Sequence, residues 1–172
     1  MMTGVRHRLV LGGARSGKSR HAQALAEATG PRRTYLATAE ARDEEMAARI
    51  ARHQAERGEG WQTLEAPLDM PVALGSVADS DVVLVDCLTL WLTNVMLGER
   101  DVDVETEALV AALATVPRPI ILVSNEVGLG LVPETPLGRA FRDAQGRLNQ
   151  RIAEVVQEVR FMAAGLPLVL KG

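Results

Sequence analysis

The stretch "GGARSGKS" has the composition of a phosphate cradle. It fits G-x-x-x-x-G-K-S, with Gly12, Gly17, Lys18 and Ser19 at the required places. Glycines let the backbone N–H groups of Gly13, Ala14, Arg15 and Ser16 turn toward a phosphate, and a following helix adds the partial positive charge of its N-terminus. Lys18 can reach β- and γ-phosphates, and the Ser19 hydroxyl is a ligand for Mg²⁺. Such a loop calls for an acidic group at the end of a neighbouring buried strand, and "VVLVD" supplies Asp86, favoured as the second metal ligand over a plain cap for the "CLTLWLTN" that follows. A dinucleotide loop is excluded by spacing, because "GGARSG" is not G-x-G-x-x-G and no acidic residue ends "RTYLAT". Asn125 and Glu126 close another strand, and for them binding and plain turn chemistry are equally open.

A nucleophile would have to come from elsewhere. Of three histidines, His7 precedes the first strand and reads as solvated, and His21 reads as helix surface near the loop. His53 shares a helical face with Met46 and Ile50, so the plain reading is a half-buried residue completing an apolar stripe. The other reading begins from Arg49 and Arg57 at i−4 and i+4. Two cations beside the ring would favour neutral imidazole and draw in phosphate, and a neutral imidazole can attack phosphorus. Periodicity alone leaves both readings open.

The elements that must position these groups alternate. "HRLVLGG", "RTYLAT", "DVVLVD" and "RPIILVSNE" are apolar strands, and "SGKSRHAQALAEATG", "DEEMAARIARHQAERG", "DVETEALVAALATV" and a long run from Thr135-Pro136 to about Val156 are helical. Asp69 is placed to cap a short helix with Pro71 at an early position. "VRFMAAG" and "LPLVLKG" read as an antiparallel closing hairpin turning near Gly165. Continuous apolar strands between helices specify an α/β fold with a mainly parallel sheet covered on both faces. In that architecture ligands sit beyond the carboxyl ends of strands, so Thr38, Asp86, Asn125 and Glu126 should share an edge with the loop.

The 172 residues suit a single nucleotide-binding domain spanning 1–172. A net charge of −3 argues against nucleic-acid binding by bulk charge. One cysteine, Cys87, excludes an internal disulfide and a cysteine zinc site. The N-terminal apolar run is short for a signal peptide, and no stretch approaches the ~20 residues of a membrane span, so a cytoplasmic protein is expected.

Taken together, "LVLGGARSGKSRHA", the helix of form D-x-E-M-x-x-R-I-x-x-H leading to a tryptophan and T-x-E, "LVDCLTLWLTN" and "VSNEVGLGLVPETPLGRAFRDAQGRLNQRIA" resemble the bifunctional adenosylcobinamide kinase/adenosylcobinamide-phosphate guanylyltransferases of cobalamin biosynthesis. The resemblance covers nearly the whole chain. It implies a P-loop NTPase-type, RecA-like fold and two reactions, with Lys18 and His53 in the catalytic roles. ATP or GTP phosphorylates adenosylcobinamide. GTP then gives GMP to adenosylcobinamide phosphate through a guanylyl-histidine, releasing pyrophosphate. The histidine of the R-I-x-x-H segment is the carrier, and with Arg52 just before it His53 is the one candidate. The resemblance also places the nucleotide, with Mg²⁺, against the P-loop, Ala37, Thr38, Ala39, Gln54, Ala55, Glu56, Arg57, Glu65 and Asp86, and it implies a homotrimer. A P-loop kinase for another small alcohol, with His53 structural, is the competing reading, and a nucleotide-binding module without transfer chemistry is a third.

Overall fold

The computed structural model describes residues 5–40 and 43–172, apart from the side chain of Arg49. The elements run β1 (Arg8–Gly12), α1 (Lys18–Glu27), β2 (Arg33–Ala37), α2 (Glu44–Glu56), β3 (Trp61–Glu65), α3 (Met70–Ser76), β4 (Val82–Asp86), α4 (Leu88–Leu97), α5 (Val102–Thr115), β5 (Ile120–Asn125), α6 (Pro136–Val155), β6 (Glu158–Ala163) and β7 (Leu166–Lys171). They build one seven-stranded sheet in the order β3-β2-β4-β5-β1-β6-β7. Every pair is parallel except β6 with β7, the antiparallel hairpin expected at the edge. Its turn uses Ala164 and Gly165, both at positive φ, as a two-residue hairpin turn requires.

Two apolar layers explain the continuous strand patterns. On one face Leu9, Leu36, Val83 and Leu122 pack under α3, α4, α5 and α6, with Trp91 and Leu148 at the centre. On the other, Val10, Leu84, Ile121 and Val123 meet Ala22 and Ala26 of α1. Small alanines let α1 lie close to the sheet. Each fully buried large aliphatic side chain contributes roughly 1.5–3 kcal/mol, so β1, β4 and β5, buried on both faces, anchor the molecule. None of the described side chains of α2 belongs to either layer.

Local signals account for most boundaries. Asp43 caps α2 through Met46 N, and Thr135 caps α6 through Gly138 N with Pro136 directly after it. Three expectations need correction. Asp69 stands at the N-cap of α3 with Pro71 in the first turn, as expected, but its carboxylate makes no capping bond and instead accepts from the Arg100 guanidinium at 2.9 Å. His7 is not solvated. It is 7% exposed, its Nδ1 accepts from Ile120 N, and the remaining Nε2–H donates to Leu113 O at 2.9 Å. Strand β3 and helix α4 also lie in segments whose patterns had specified neither. α4 is apolar nearly all round because it is buried, with Trp91, Leu92 and Val95 inside.

Candidate active site

The β1–α1 loop is built for close approach. Gly17 has φ 91°, and a Cβ there would press on Gly165 Cα at 3.1 Å. Gly165 N in turn donates to Ser16 O at 2.9 Å, so the hairpin turn braces the loop from behind. A Cβ on Gly12 would collide with Ser16 Oγ. Arg15 adopts φ 56°, a left-handed residue inside the loop. Lys18 folds back to donate to Gly13 O at 3.0 Å, leaving its ammonium at the mouth.

At the carboxyl ends of β2, β4 and β5 a cleft of about 320 Å³ opens beside this loop. Lys18 and Ser19 line one side, Asp86 and Asn125 the floor, and Met46, Ile50 and His53 the α2 wall. The sequence stripe on α2 therefore faces the cleft rather than a core, and the His53 side chain is 57% exposed. Its Nδ1 lies 3.9 Å from Glu56 Oε2, too far for a hydrogen bond. Ala37, Ala39, Gln54 and Arg57 line the same cleft. A second hollow of about 540 Å³, toward α1, shares Ser19, Tyr35, His53, Arg57 and Asp86 with it and adds Glu56. Glu65 lines an adjoining hollow that shares Ala39, Ile50 and Gln54 with the cleft, and Ala55 lines none of the three.

Asp86 is the electrostatic centre. Burial pushes its carboxyl above the usual carboxylate range, against the opposing pull of the Tyr35 hydroxyl, His53, Lys18 and Arg57. Tyr35 donates to Asp86 Oδ2 at 3.1 Å. Burial, then Asp86, push the neighbouring Cys87 thiol up to about 11. The structure gives Arg57 a partner the sequence did not suggest. Its guanidinium lies 3.6 Å over the Tyr35 ring and donates to Thr63 Oγ1 at 3.2 Å. The companion expectation, that Arg49 flanks His53, falls on a side chain outside the described residues.

Thr38 is fully buried and holds the β4 end, accepting from Cys87 N at 2.9 Å and donating to Cys87 O at 2.7 Å. Glu126 accepts from Gly128 N and so does turn chemistry. Asn125 is positioned from two sides, one of them a network. Its N–H donates to Thr89 Oγ1, its carbonyl accepts from Asn149, and Asn149 is itself fixed by Ser124 and Gln145. This buried network is the physical content of the "DAQGRLNQ" run, and only its polar residues at helical spacing could have announced it. Tyr35 was missed outright, because a lone tyrosine in a strand reads as packing.

Mg²⁺ fits these residues. It takes one or two protein oxygens and completes its shell with water and phosphate, so a full protein cage is not required. Ser19 and Asp86 face one cleft, and the buried Asn125 Oδ1 beside them has no hydrogen-bond partner among the described residues.

Comparisons with known proteins agree with this geometry. Residues 8–170 match the family described as cobinamide kinase / cobinamide phosphate guanyltransferase. The chain is 52% identical to the bifunctional adenosylcobalamin biosynthesis protein CobP of Pseudomonas aeruginosa, over 95% of this chain and 96% of that one. It is 40% identical to CobU of Salmonella typhimurium, over 95% and 98%. Among solved structures, the flagellar accessory protein FlaH of Methanocaldococcus jannaschii superposes with TM-score 0.54 at 15% identity, covering 99% of this chain and 81% of that one. The RadB recombinase superposes with TM-score 0.53 at 14% identity, covering 91% and 73%. These likenesses fix the RecA-like P-loop architecture and say nothing about substrate. With a P-loop, an acidic strand end and a histidine helix around one cleft, and with the match running almost end to end, the chain belongs to the family of bifunctional cobinamide kinases and cobinamide phosphate guanylyltransferases of cobalamin biosynthesis.

Proposed function

We propose that His53 is the covalent carrier of GMP in the guanylyl transfer, and that the β1–α1 loop with Lys18 holds the phosphates of ATP or GTP in both reactions. The observation that carries this reading is the shared cleft, which His53 of α2 lines together with Lys18, Ser19 and Asp86. A phosphate chain on the loop amides presents its leaving pyrophosphate to Lys18 and its α-phosphorus toward α2. The His53 ring nitrogen then attacks phosphorus, and the electron pair of the broken bond leaves with pyrophosphate. Lys18 stabilises the charge that collects on that leaving group. Asp86 and Ser19 would hold Mg²⁺, which when bound supplies further neutralisation of phosphate charge. Tyr35 fixes the Asp86 carboxylate by donating to one oxygen.

Nucleotide contacts from Gly12 to Ser19, Ala37 to Ala39, Gln54 to Arg57, Glu65 and Asp86 belong to the same reading. So do a homotrimer, a cytoplasmic setting and one domain over 1–172. The exposed β7 edge, with Leu166, Leu168 and Leu170, is a surface that an assembly could cover. No described helix is long and apolar enough to cross a membrane.

The test uses GTP labelled at either the α- or the γ-phosphate. Acid-labile, alkali-stable α-label on the protein, absent in His53→Ala, is expected. γ-Label passed to an alcohol with no protein-bound α-label would leave only the kinase and make His53 structural.

A further inference from the structure

His53 stands between two spaces. The cleft with Lys18 and the hollow toward α1 both reach it, and the acceptor phosphate of the second half-reaction could come from either. We infer that the acceptor phosphate is held by the β1–α1 loop where the departing pyrophosphate had been, so that one phosphate subsite serves both halves of the transfer. This inference rests on the reading of His53 as covalent carrier.

The first argument is stereochemical. In the first displacement a His53 nitrogen lone pair forms the N–P bond while the bond from α-phosphorus to pyrophosphate breaks. Attacking and leaving atoms lie in line, on opposite sides of phosphorus. Pyrophosphate therefore leaves toward Lys18. In the second displacement an oxygen of the acceptor phosphate, already ionised, forms the new O–P bond. The N–P pair returns to the ring, and no proton has to move. In-line geometry again sets the incoming oxygen opposite the nitrogen. With His53 in place, that is the side pyrophosphate left by.

The second argument is charge. The cleft presents Lys18 and the first residues of α1 to an anion, while Arg57 and Asp86 line both spaces and do not distinguish them. The hollow toward α1 sets Arg20 against the carboxylates of Glu27 and Glu56, and its amide group on Gln23 already donates to Glu27 at 2.8 Å. A phosphate dianion is better served in the cleft. Two separate subsites would require α2 to carry bound GMP from one space to the other between displacements. None of the described side chains of α2 belongs to either core layer, so only the kinetics separate the alternatives.

The experiment is steady-state guanylyl transfer by the full chain, varying GTP and adenosylcobinamide phosphate at several fixed pyrophosphate concentrations. Pyrophosphate is expected to compete with adenosylcobinamide phosphate, and excess adenosylcobinamide phosphate to compete with GTP. Pyrophosphate competing with GTP and not with the acceptor is the pattern of two subsites and would overturn the inference. Arg20→Ala supplies the second measurement. The KM for adenosylcobinamide phosphate should stay within about twofold of the parent, since Arg20 lies only in the other hollow. A rise of tenfold or more would put the acceptor there. Protein that takes no α-label from GTP defeats the carrier reading itself, whereas labelled protein with the two-subsite pattern defeats only this inference.

Discussion

The two ends of the parallel strands handle polar groups in opposite ways. At the amino ends most buried or bridging groups are bonded to one another, with Trp61 Nε1 and Arg118 Nε as exceptions. His7 uses both ring nitrogens, Arg8 holds Glu158 at 3.0 Å, and Arg32 bonds Asp81 through its backbone N–H and its guanidinium. At the carboxyl ends, Ser16 Oγ, Asn125 Oδ1 and Arg57 Nε are buried without a partner among the described residues, and burial raises the carboxyl of Asp86. An unsatisfied buried polar atom costs about 1–3 kcal/mol. The amino ends are thus mostly paired, while the carboxyl ends leave Ser16, Asn125 and Arg57 with atoms that have no partner among the described residues, beside the loop and the cleft. The same fold supports both because the shared strands β1, β4 and β5 are fully covered between them.

Substitutions at the carboxyl end should hurt chemistry more than stability. His53→Ala is expected to lower guanylyl transfer by at least about 10³-fold while leaving the kinase reaction within a few-fold. Because the side chain is 57% exposed, Tm should move by no more than about 1 °C. A large fall in Tm would make His53 structural and erase the contrast. Asp86→Asn should lower both activities about 10²-fold, and it should also stabilise. The sign follows from burial. The folded carboxyl titrates above its unfolded value, so its ionised form penalises the fold at neutral pH, and a neutral amide removes that penalty. Gains of roughly 1 kcal/mol are common for such trade-offs and raise Tm by about 2–4 °C in a chain of this size. Thermal melts of parent and variant at pH 7.5 decide it. Tyr35→Phe keeps the ring beneath Arg57 and removes only the donor to Asp86, so a smaller loss, about 3–10-fold in transfer, is expected. Parallel Mn²⁺ titrations should show weaker binding if Tyr35 orients the carboxylate.

The same contrast governs what the sequence discloses. The P-loop announces itself because a phosphate nest needs particular residues at fixed spacing, and strands buried on both faces leave continuous apolar runs. β3 and α4 escape for opposite reasons. "WQTLE" is a short edge strand with three exposed residues, and "LTLWLTNVML" is too uniformly apolar to show a helical stripe. The role of Tyr35 depends on a contact between β2 and β4, a pairing that no local pattern encodes. His7 is the reverse case. A histidine just before a strand, beside two arginines, looks like surface. Only the arrival of Leu113 from α5 and Ile120 from β5 encloses it.

His7 also gives the subtlest test of the contrast, since it should affect stability and not catalysis. Burial holds its imidazole below the usual histidine range, and the Leu113 carbonyl opposes this only in part. The unfolded ring takes a proton near pH 6.5 and the folded ring does so only at lower pH. The contribution of His7 to stability is therefore complete above about pH 6.5 and is lost as pH falls toward the folded value, by at most about 1.4 kcal/mol per pH unit. His7→Gln should melt below the parent at pH 7.5, with the gap narrowing by about 2–4 °C at pH 5.5. Guanylyl transfer at 25 °C should be unchanged at either pH relative to the parent. A gap that stays constant with pH would mean that the ring is not held neutral. A loss of transfer would mean that the amino ends of the strands are coupled to the cleft after all.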